Sequence, residues 1–267
     1  MKGMSDFNKR IASLTPEKRA LLEKHLLQKV SLSTKKQEIP GRGTSDTCAL
    51  SFSQERLWLY NQLEPGTPNI ISCIFRVSGS LDHTILVKTL DTIVARHESL
   101  RTTFSSETGT PLQVIHQGRS IHMSVFDLGS WSEPERETEV QRLIDGEEQR
   151  LFDLSTDLML RASLIRFSDT EHIFILIMHH IASDGWSMEI FFHEMLTLYR
   201  AYSEGKPSPL PDLTIQYADF ACWQRKWMDG NVIEKQLSYW KDQLADMPEV
   251  LELPSDRARP AVRSLRG

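Results

Sequence analysis

Hydrophobic and polar positions along this chain repeat with two different periods, and the switches between them mark its elements. The densest apolar run is Ile173-Phe174-Ile175-Leu176-Ile177-Met178, with no polar interruption. Its β-branched and aromatic content predicts a strand buried on both faces. From Met188 to Ser203 apolar residues recur at helical spacing, which predicts an amphipathic helix. Between the two lies His179-His180-Ile181-Ala182-Ser183-Asp184-Gly185-Trp186-Ser187. Two adjacent histidines therefore end a buried strand, ahead of an acid-glycine turn and a helix start. Loops held by rigid elements at such junctions are common places for chemistry.

The same reading extends along the chain. Thr15-Pro16-Glu17 is a helix start, followed by an apolar stripe through Leu21, Leu22, Leu26 and Leu27 to about Val30. That helix either packs on its own domain or docks an upstream protein. Residues 31–47 lack apolar periodicity and read as a linker. Ser51 caps a short helix, with Gln54 completing a capping box and Leu57 and Trp58 turned inward. A strand from Asn69 to Val77 precedes a helix from Leu81 to His97. Pro111–Ile115 and Ile121–Phe126 read as strands of a meander, and the charged segment Ser132–Arg150 as a surface helix. Leu160–Phe167 alternates into a strand that Ser168–Glu171 turns back into the central one, giving an antiparallel pair. A proline-rich loop after Gly205 leads to helices at Tyr217–Gln224 and Glu234–Ala245.

Composition narrows the function classes. The chain has 267 residues, 40% hydrophobic and 25% charged, which is ordinary globular usage. A net charge of −5 gives no nucleic-acid footprint. Cys48, Cys73 and Cys222 are far apart in sequence and odd in number, as expected of unpaired thiols in a reducing cytoplasm. Neither a membrane-length apolar run nor a charged-then-apolar leader is present. The expected location is therefore cytoplasmic, with neither nucleic acid nor membrane as partner.

The candidate chemistry lies in the histidine loop. Side chains alternate along a strand, so His179 and His180 are expected to point opposite ways. One can face a cleft while the other holds the loop from inside. Asp184 is placed either to orient an imidazole or to pair with an arginine. Gly185 removes a side chain where the backbone bends or nears a ligand. The N–H groups of Gly185 and Trp186, at a helix N-terminus, can donate to a developing oxyanion. A metal site is not expected: adjacent strand positions diverge, and no H-E-x-x-H or paired C-x-x-C spacing is present.

These residues, His-His-x-x-x-Asp-Gly, resemble the signature of nonribosomal peptide synthetase condensation domains, whose relatives share the chloramphenicol acetyltransferase fold. Three more segments resemble family motifs in the family's order. They are Ser51-Phe52-Ser53-Gln54-Glu55-Arg56-Leu57-Trp58, Arg96-His97-Glu98-Ser99-Leu100-Arg101-Thr102-Thr103-Phe104 and Tyr217-Ala218-Asp219-Phe220-Ala221-Cys222-Trp223. The resemblance runs from about Leu50 to Gly267 and implies an α/β (α+β) sandwich, a lobe with a mixed, mostly antiparallel sheet covered by helices. Family domains are two-lobed and longer. The expected division is a leading helix and linker at 1–47, an N-terminal lobe at 48–230 and the start of a second lobe at 231–267.

The implied reaction is acyl transfer, in which the amine of a carrier-bound aminoacyl group attacks an upstream thioester. His180 is the implied catalytic residue. His179, Asp184, Gly185, Arg96 and Arg101 are its structural support, and Trp186 and Ser187 are candidates for the substrate tunnel. In the family the motif aspartate is thought to pair with an arginine, here expected from the missing lobe. No cofactor is expected to bind directly; phosphopantetheine arms of upstream and downstream peptidyl carrier domains arrive as substrates, beside an adenylation domain. Ser183-Asp184-Gly185-Trp186-Ser187 resembles domains that join an L-donor to an L-acceptor. A starter domain, a stand-alone acyltransferase and a non-catalytic carrier-recruiting module are the alternatives, and the fragment alone is expected to be weak or inactive.

Overall fold

The central apolar run forms β7, Glu171–His179, the strand around which the larger sheet is built. The computed structural model describes residues 38–106, 109–228, 230–248 and 254. The helix expected before Val30 and the loop beyond Leu253, apart from Pro254, lie outside the described residues. Before β7 come β1 Thr47–Ala49, α1 Phe52–Leu63, β2 Ile70–Ser78, α2 His83–Arg96, β3 Thr102–Ser105, β4 Leu112–Ile115, β5 Met123–Asp127, α3 Glu133–Gln149 and β6 Leu160–Arg166. After it come α4 Gly185–Ser203, α5 Tyr217–Trp227 and α6 Asn231–Gln243. A 3₁₀ turn, Glu98–Arg101, joins α2 to β3.

The larger sheet has the order β2-β7-β6-β5. β7 pairs antiparallel with β2 from Ile70↔His179 to Ser78↔Glu171, and antiparallel with β6 on its other edge. The period-two alternation of its side chains divides the interior in two. Phe174, Leu176 and Met178 join Leu90 and Ile93 of α2 and Phe191 and Leu198 of α4. Ile175 and Ile177 face the opposite way, onto Leu143 of α3, Phe152 and Leu50. Having a core on each side is what allows six apolar residues in succession. Full burial of each such side chain contributes about 1.5–3 kcal/mol.

The α/β sandwich, with its mixed sheet covered by helices, is thus as the sequence implies. One pairing is not. The strands expected as a meander at 111–126 belong to different sheets. β4 lies between β1 and β3, whereas β5 runs parallel to β6. A parallel pair needs a crossover of a dozen or more residues, and α3 supplies it. Its sequence periodicity marks the helix but carries no trace of which strands it connects.

Packing also brings together two sets of residues that lie far apart in sequence. The described end of the supposed linker is anchored: Arg42 meets Glu98 at 2.7 Å and Asp219 at 3.0 Å. Thr47–Ala49 then pairs with β4 as β1. Cys48 and Cys222, distant in sequence, are neighbours between β1 and α5. Burial, and secondly the adjacent Cys222, push the Cys48 thiol up to about 12. All three cysteines are free thiols.

Leu176→Ala at the centre of β7, where the side chain is 0% exposed, is expected to cost about 2–5 kcal/mol in urea unfolding. Leu196→Ala on the outer face of α4 is expected to stay within about 0.5 kcal/mol. Similar losses for the two would contradict the two-sided placement of β7.

Candidate active site

His179 is the last residue of β7 and continues the register of Ile175 and Ile177 into the α3-side core. Its side chain is 2% exposed. The ring meets Phe152 edge-on, with centroids 5.6 Å apart. Phe152 in turn lies 3.8 Å beneath the guanidinium of Arg161. The Nδ1 of His179 accepts the backbone N–H of Ile181 at 3.0 Å. An accepting Nδ1 carries no proton, so the neutral ring holds its hydrogen on Nε2. Burial first, then the neighbouring His180 and Arg161, lower its pKa to about 4. His179 is therefore a neutral structural imidazole. Its carbonyl also accepts from Ala182 N at 3.0 Å and Ser183 Oγ at 3.2 Å, which closes the turn.

That turn delivers His180 to the surface. Its backbone N–H still donates to Asn69 O at 2.9 Å, so the residue is held while its side chain is exposed. The imidazole lines a cavity of about 450 Å³. Ser53, Gln54, Arg56 and Leu57 of α1 form one wall, the histidine loop forms another, and Tyr217 of α5 borders both. Ser51, the cap of α1, links the walls through its hydroxyl, 2.8 Å from the Tyr217 hydroxyl. The capping box read from the sequence is present: Gln54 N donates to Ser51 Oγ and Ser51 N donates to Gln54 Oε1.

Asp184 is the N-cap of α4. Its Oδ1 accepts Ser187 N at 2.8 Å and Ser187 Oγ at 2.6 Å. These bonds, the Ser187 hydroxyl first and then its backbone N–H, hold its carboxyl below the usual carboxylate range. Among the described residues it bonds to no imidazole and no arginine. Gly185 faces open space, since a Cβ there would meet nothing within 4 Å. Ser187 lines the His180 cavity, whereas Trp186 is 75% exposed and lies outside it.

Arg96 and Arg101 act at a distance from the cleft. Arg96 Nε binds Glu194 Oε1 at 3.0 Å, and His97 Nε2 lies 2.6 Å from Glu194 Oε2. Glu194 thereby ties the end of α2 to α4. Arg101 donates to the His116 carbonyl at 2.5 Å and to that of Ala95. Neither arginine lines the His180 cavity. Sequence reasoning missed Arg56 and Tyr217 as cleft residues. Both sit in segments singled out for their motifs, but helix patterning alone does not say which helix end meets the histidine loop.

The pH dependence of folding tests the placement of His179. Its folded pKa near 4 lies below the ordinary 6.5. The unfolded chain therefore takes up a proton that the folded state refuses. This contribution to stability is full above pH 6.5 and is lost as pH falls from 6.5 towards 4, by about 3 kcal/mol at most. Urea unfolding of His179→Gln is expected to show a shallower loss across that window; an unchanged slope would contradict the assignment. Asp184→Ala is expected to cost about 0.5–2 kcal/mol, and Asp184→Asn little, because asparagine caps as well.

Comparison with known proteins shows which family the chain belongs to. The condensation domain family model matches residues 44–267. Chondramide synthase cmdD of Chondromyces crocatus is 42% identical over 84% of this chain, which spans 6% of that protein. Phosphinothricin tripeptide synthetase PhsC of Streptomyces viridochromogenes is 36% identical over 99% of this chain and is spanned over 24% of its length. Among solved structures, the X-domain from teicoplanin biosynthesis aligns with a TM-score of 0.72 and 30% identity, covering 84% of this chain and 49% of that one. The first condensation domain of the CDA synthetase shares the fold with a TM-score of 0.66 at 24% identity, over 77% of this chain and 52% of its own. The chain thus spans about half of its structural relatives and a small part of its curated ones. It belongs to the condensation domain family of nonribosomal peptide synthetases.

Proposed function

We propose that this chain is the N-terminal lobe of a condensation domain that forms a peptide bond between two carrier-bound groups at His180. One observation carries the reading: His180 is held by its backbone in a cleft with its imidazole exposed, while its neighbour is buried and neutral. The two histidines divide the work, one building the loop and one meeting substrate.

The chemistry needs no enzyme nucleophile. The amine of the aminoacyl group on the downstream carrier attacks the thioester carbonyl of the upstream group. A C–N bond forms, the C–S bond breaks, and the upstream phosphopantetheine leaves as a thiol after taking a proton. His180 accepts the proton lost by the amine, or holds the amine and the tetrahedral species in line. Gly185, with open space where a side chain would stand, leaves room for a pantetheine arm. Ser187 borders the path, and Asp184 fixes it by capping α4. The substrates are phosphopantetheine-bound acyl and aminoacyl groups, and the partners are carrier domains and an adenylation domain of the same assembly.

The second lobe would supply the other wall of the tunnel. Alignment of a bimolecular reaction is worth roughly 7–11 kcal/mol, so residues 1–267 alone are proposed to be weak or inactive. A second reading, a recruiting module without chemistry, has one observation in its favour. A structural relative is an X-domain solved in complex with OxyB, aligned at a TM-score of 0.71 and 31% identity. The paired histidines and the cleft that His180 lines favour the catalytic reading. Mass spectrometry of a condensation assay decides between them, with donor and acceptor loaded on carriers and the protein extended past Gly267. The expected result is carrier-bound product that falls by at least about 100-fold in His180→Ala and for residues 1–267 alone. Equal product from His180→Ala would overturn the catalytic role, and equal rates for the chain alone would overturn the need for the second lobe.

A further inference from the structure

The His180 cleft does not end at the histidine loop. Ala182, Ser183, Ser187 and Tyr217 line it and also line a second cavity of about 290 Å³. This chamber lies on the other side of the loop, between α4, the 3₁₀ turn and the segment ahead of α5. Its wall is mainly apolar. Leu100, Met178 and Phe191 are buried, whereas Ile190, Leu213 and Ile215 are 38–43% exposed. The exposed three leave apolar surface facing the opening, next to the reacting imidazole's own cleft.

The carboxylate and amide side chains of the chamber, Glu194 and Gln216, are already partnered. Both Glu194 oxygens are taken, by Arg96 Nε at 3.0 Å and His97 Nε2 at 2.6 Å. Gln216 donates to Arg96 O at 2.9 Å and accepts from Glu98 N at 3.1 Å. A charged ligand group entering here would lose its water and find no free counter-charge, which is costly. An apolar group would lose nothing and would cover Ile190, Leu213 and Ile215.

We propose that this chamber is a side-chain subsite for the aminoacyl group reacting beside His180, and that it admits an uncharged, mainly apolar side chain. The inference rests on the acyl-transfer reading above and names the class of substrate that reading leaves open. The volume, about 290 Å³, falls just below the roughly 300–1,000 Å³ of ligand pockets, which suits one side chain rather than a whole carrier-bound chain. Leucyl has the chemistry the wall asks for, and glycyl leaves the chamber empty. Apolar pockets separate substrates differing by a methylene about 10- to 200-fold, so a clear preference between those two is expected.

Binding is tested first, independently of turnover. The 267-residue chain, labelled at isoleucine methyls, is titrated by NMR with N-acetyl-leucyl-pantetheine and with N-acetyl-glycyl-pantetheine. The methyls of Ile190 and Ile215 are expected to shift with the leucyl compound, which binds at least about tenfold tighter than the glycyl one. Ile215→Trp, on an exposed segment, is expected to abolish that preference as read at Ile190; Leu213→Trp serves as a second filling variant. Equal affinity for the two compounds, no shift at either methyl, or a preference that survives both variants would overturn the subsite. Condensation by the extended protein then identifies the source, with leucyl on the donor carrier opposite glycyl on the acceptor, and the reverse. The filling variants are expected to lower the leucyl-to-glycyl ratio on one carrier only. An unchanged ratio on both carriers would overturn the inference. Absence of all product from the unmodified protein, with the NMR preference intact, would defeat the acyl-transfer reading and leave the subsite standing.

Discussion

The hydrogen bond from Ile181 N–H to the Nδ1 of His179 is the constraint on which the site depends. It exists because β7 is buried on both faces up to its last residue. Strand alternation sends His179 the same way as Ile175 and Ile177, into a core where a charged ring would be expensive. The ring stays neutral, accepts a backbone donor and closes the turn. His180 is then the first side chain free of the strand, and its position follows from its neighbour's burial. Two identical residue types end up in different environments because one lies inside the sandwich and the other just beyond it.

The rest of the fold supports that edge. β2 and β6 pair along both sides of β7, β2 reaching its last residue and β6 reaching Met178. α2 and α4 cover one face, and Glu194 binds Arg96 and His97 to keep them together. α1 and α5 supply the cleft wall, joined through Ser51 and Tyr217. The family motifs are therefore mostly scaffolding. Arg96, Arg101, Asp184 and Asp219 each satisfy a helix end, a carbonyl or another charge in this structure. Asp219, for example, accepts the N–H of Gln216 at 2.7 Å and holds Arg42 at 3.0 Å.

What was legible in the sequence is what short-range physics determines. The buried strand, the Ser51–Gln54 capping box, the opposite fates of His179 and His180, and the helix after Gly185 all follow from local periodicity and capping. Long-range pairings were not legible. Nothing in Pro111–Phe126 says that its two strands join different sheets, because alternation fixes faces and not partners. The seating of Arg42 between Glu98 and Asp219, and the meeting of Cys48 with Cys222, depend on where distant elements pack. Asp184 is a mixed case. Its type and place at a helix start are those of an N-cap, yet its position near two histidines drew attention to the imidazoles. The geometry gives it the simpler task.

The proposed division of labour between the two histidines stands on the protonation of one ring, and ¹⁵N NMR of labelled histidines reads that directly. For His179 the expected result is an unprotonated Nδ1 and a protonated Nε2 at pH 7, with the ring staying neutral until pH approaches about 4. A His179 ring that titrates near 6.5, or that carries its proton on Nδ1, would mean that the loop is not held from inside. The separate tasks given to His179 and His180 would then be wrong.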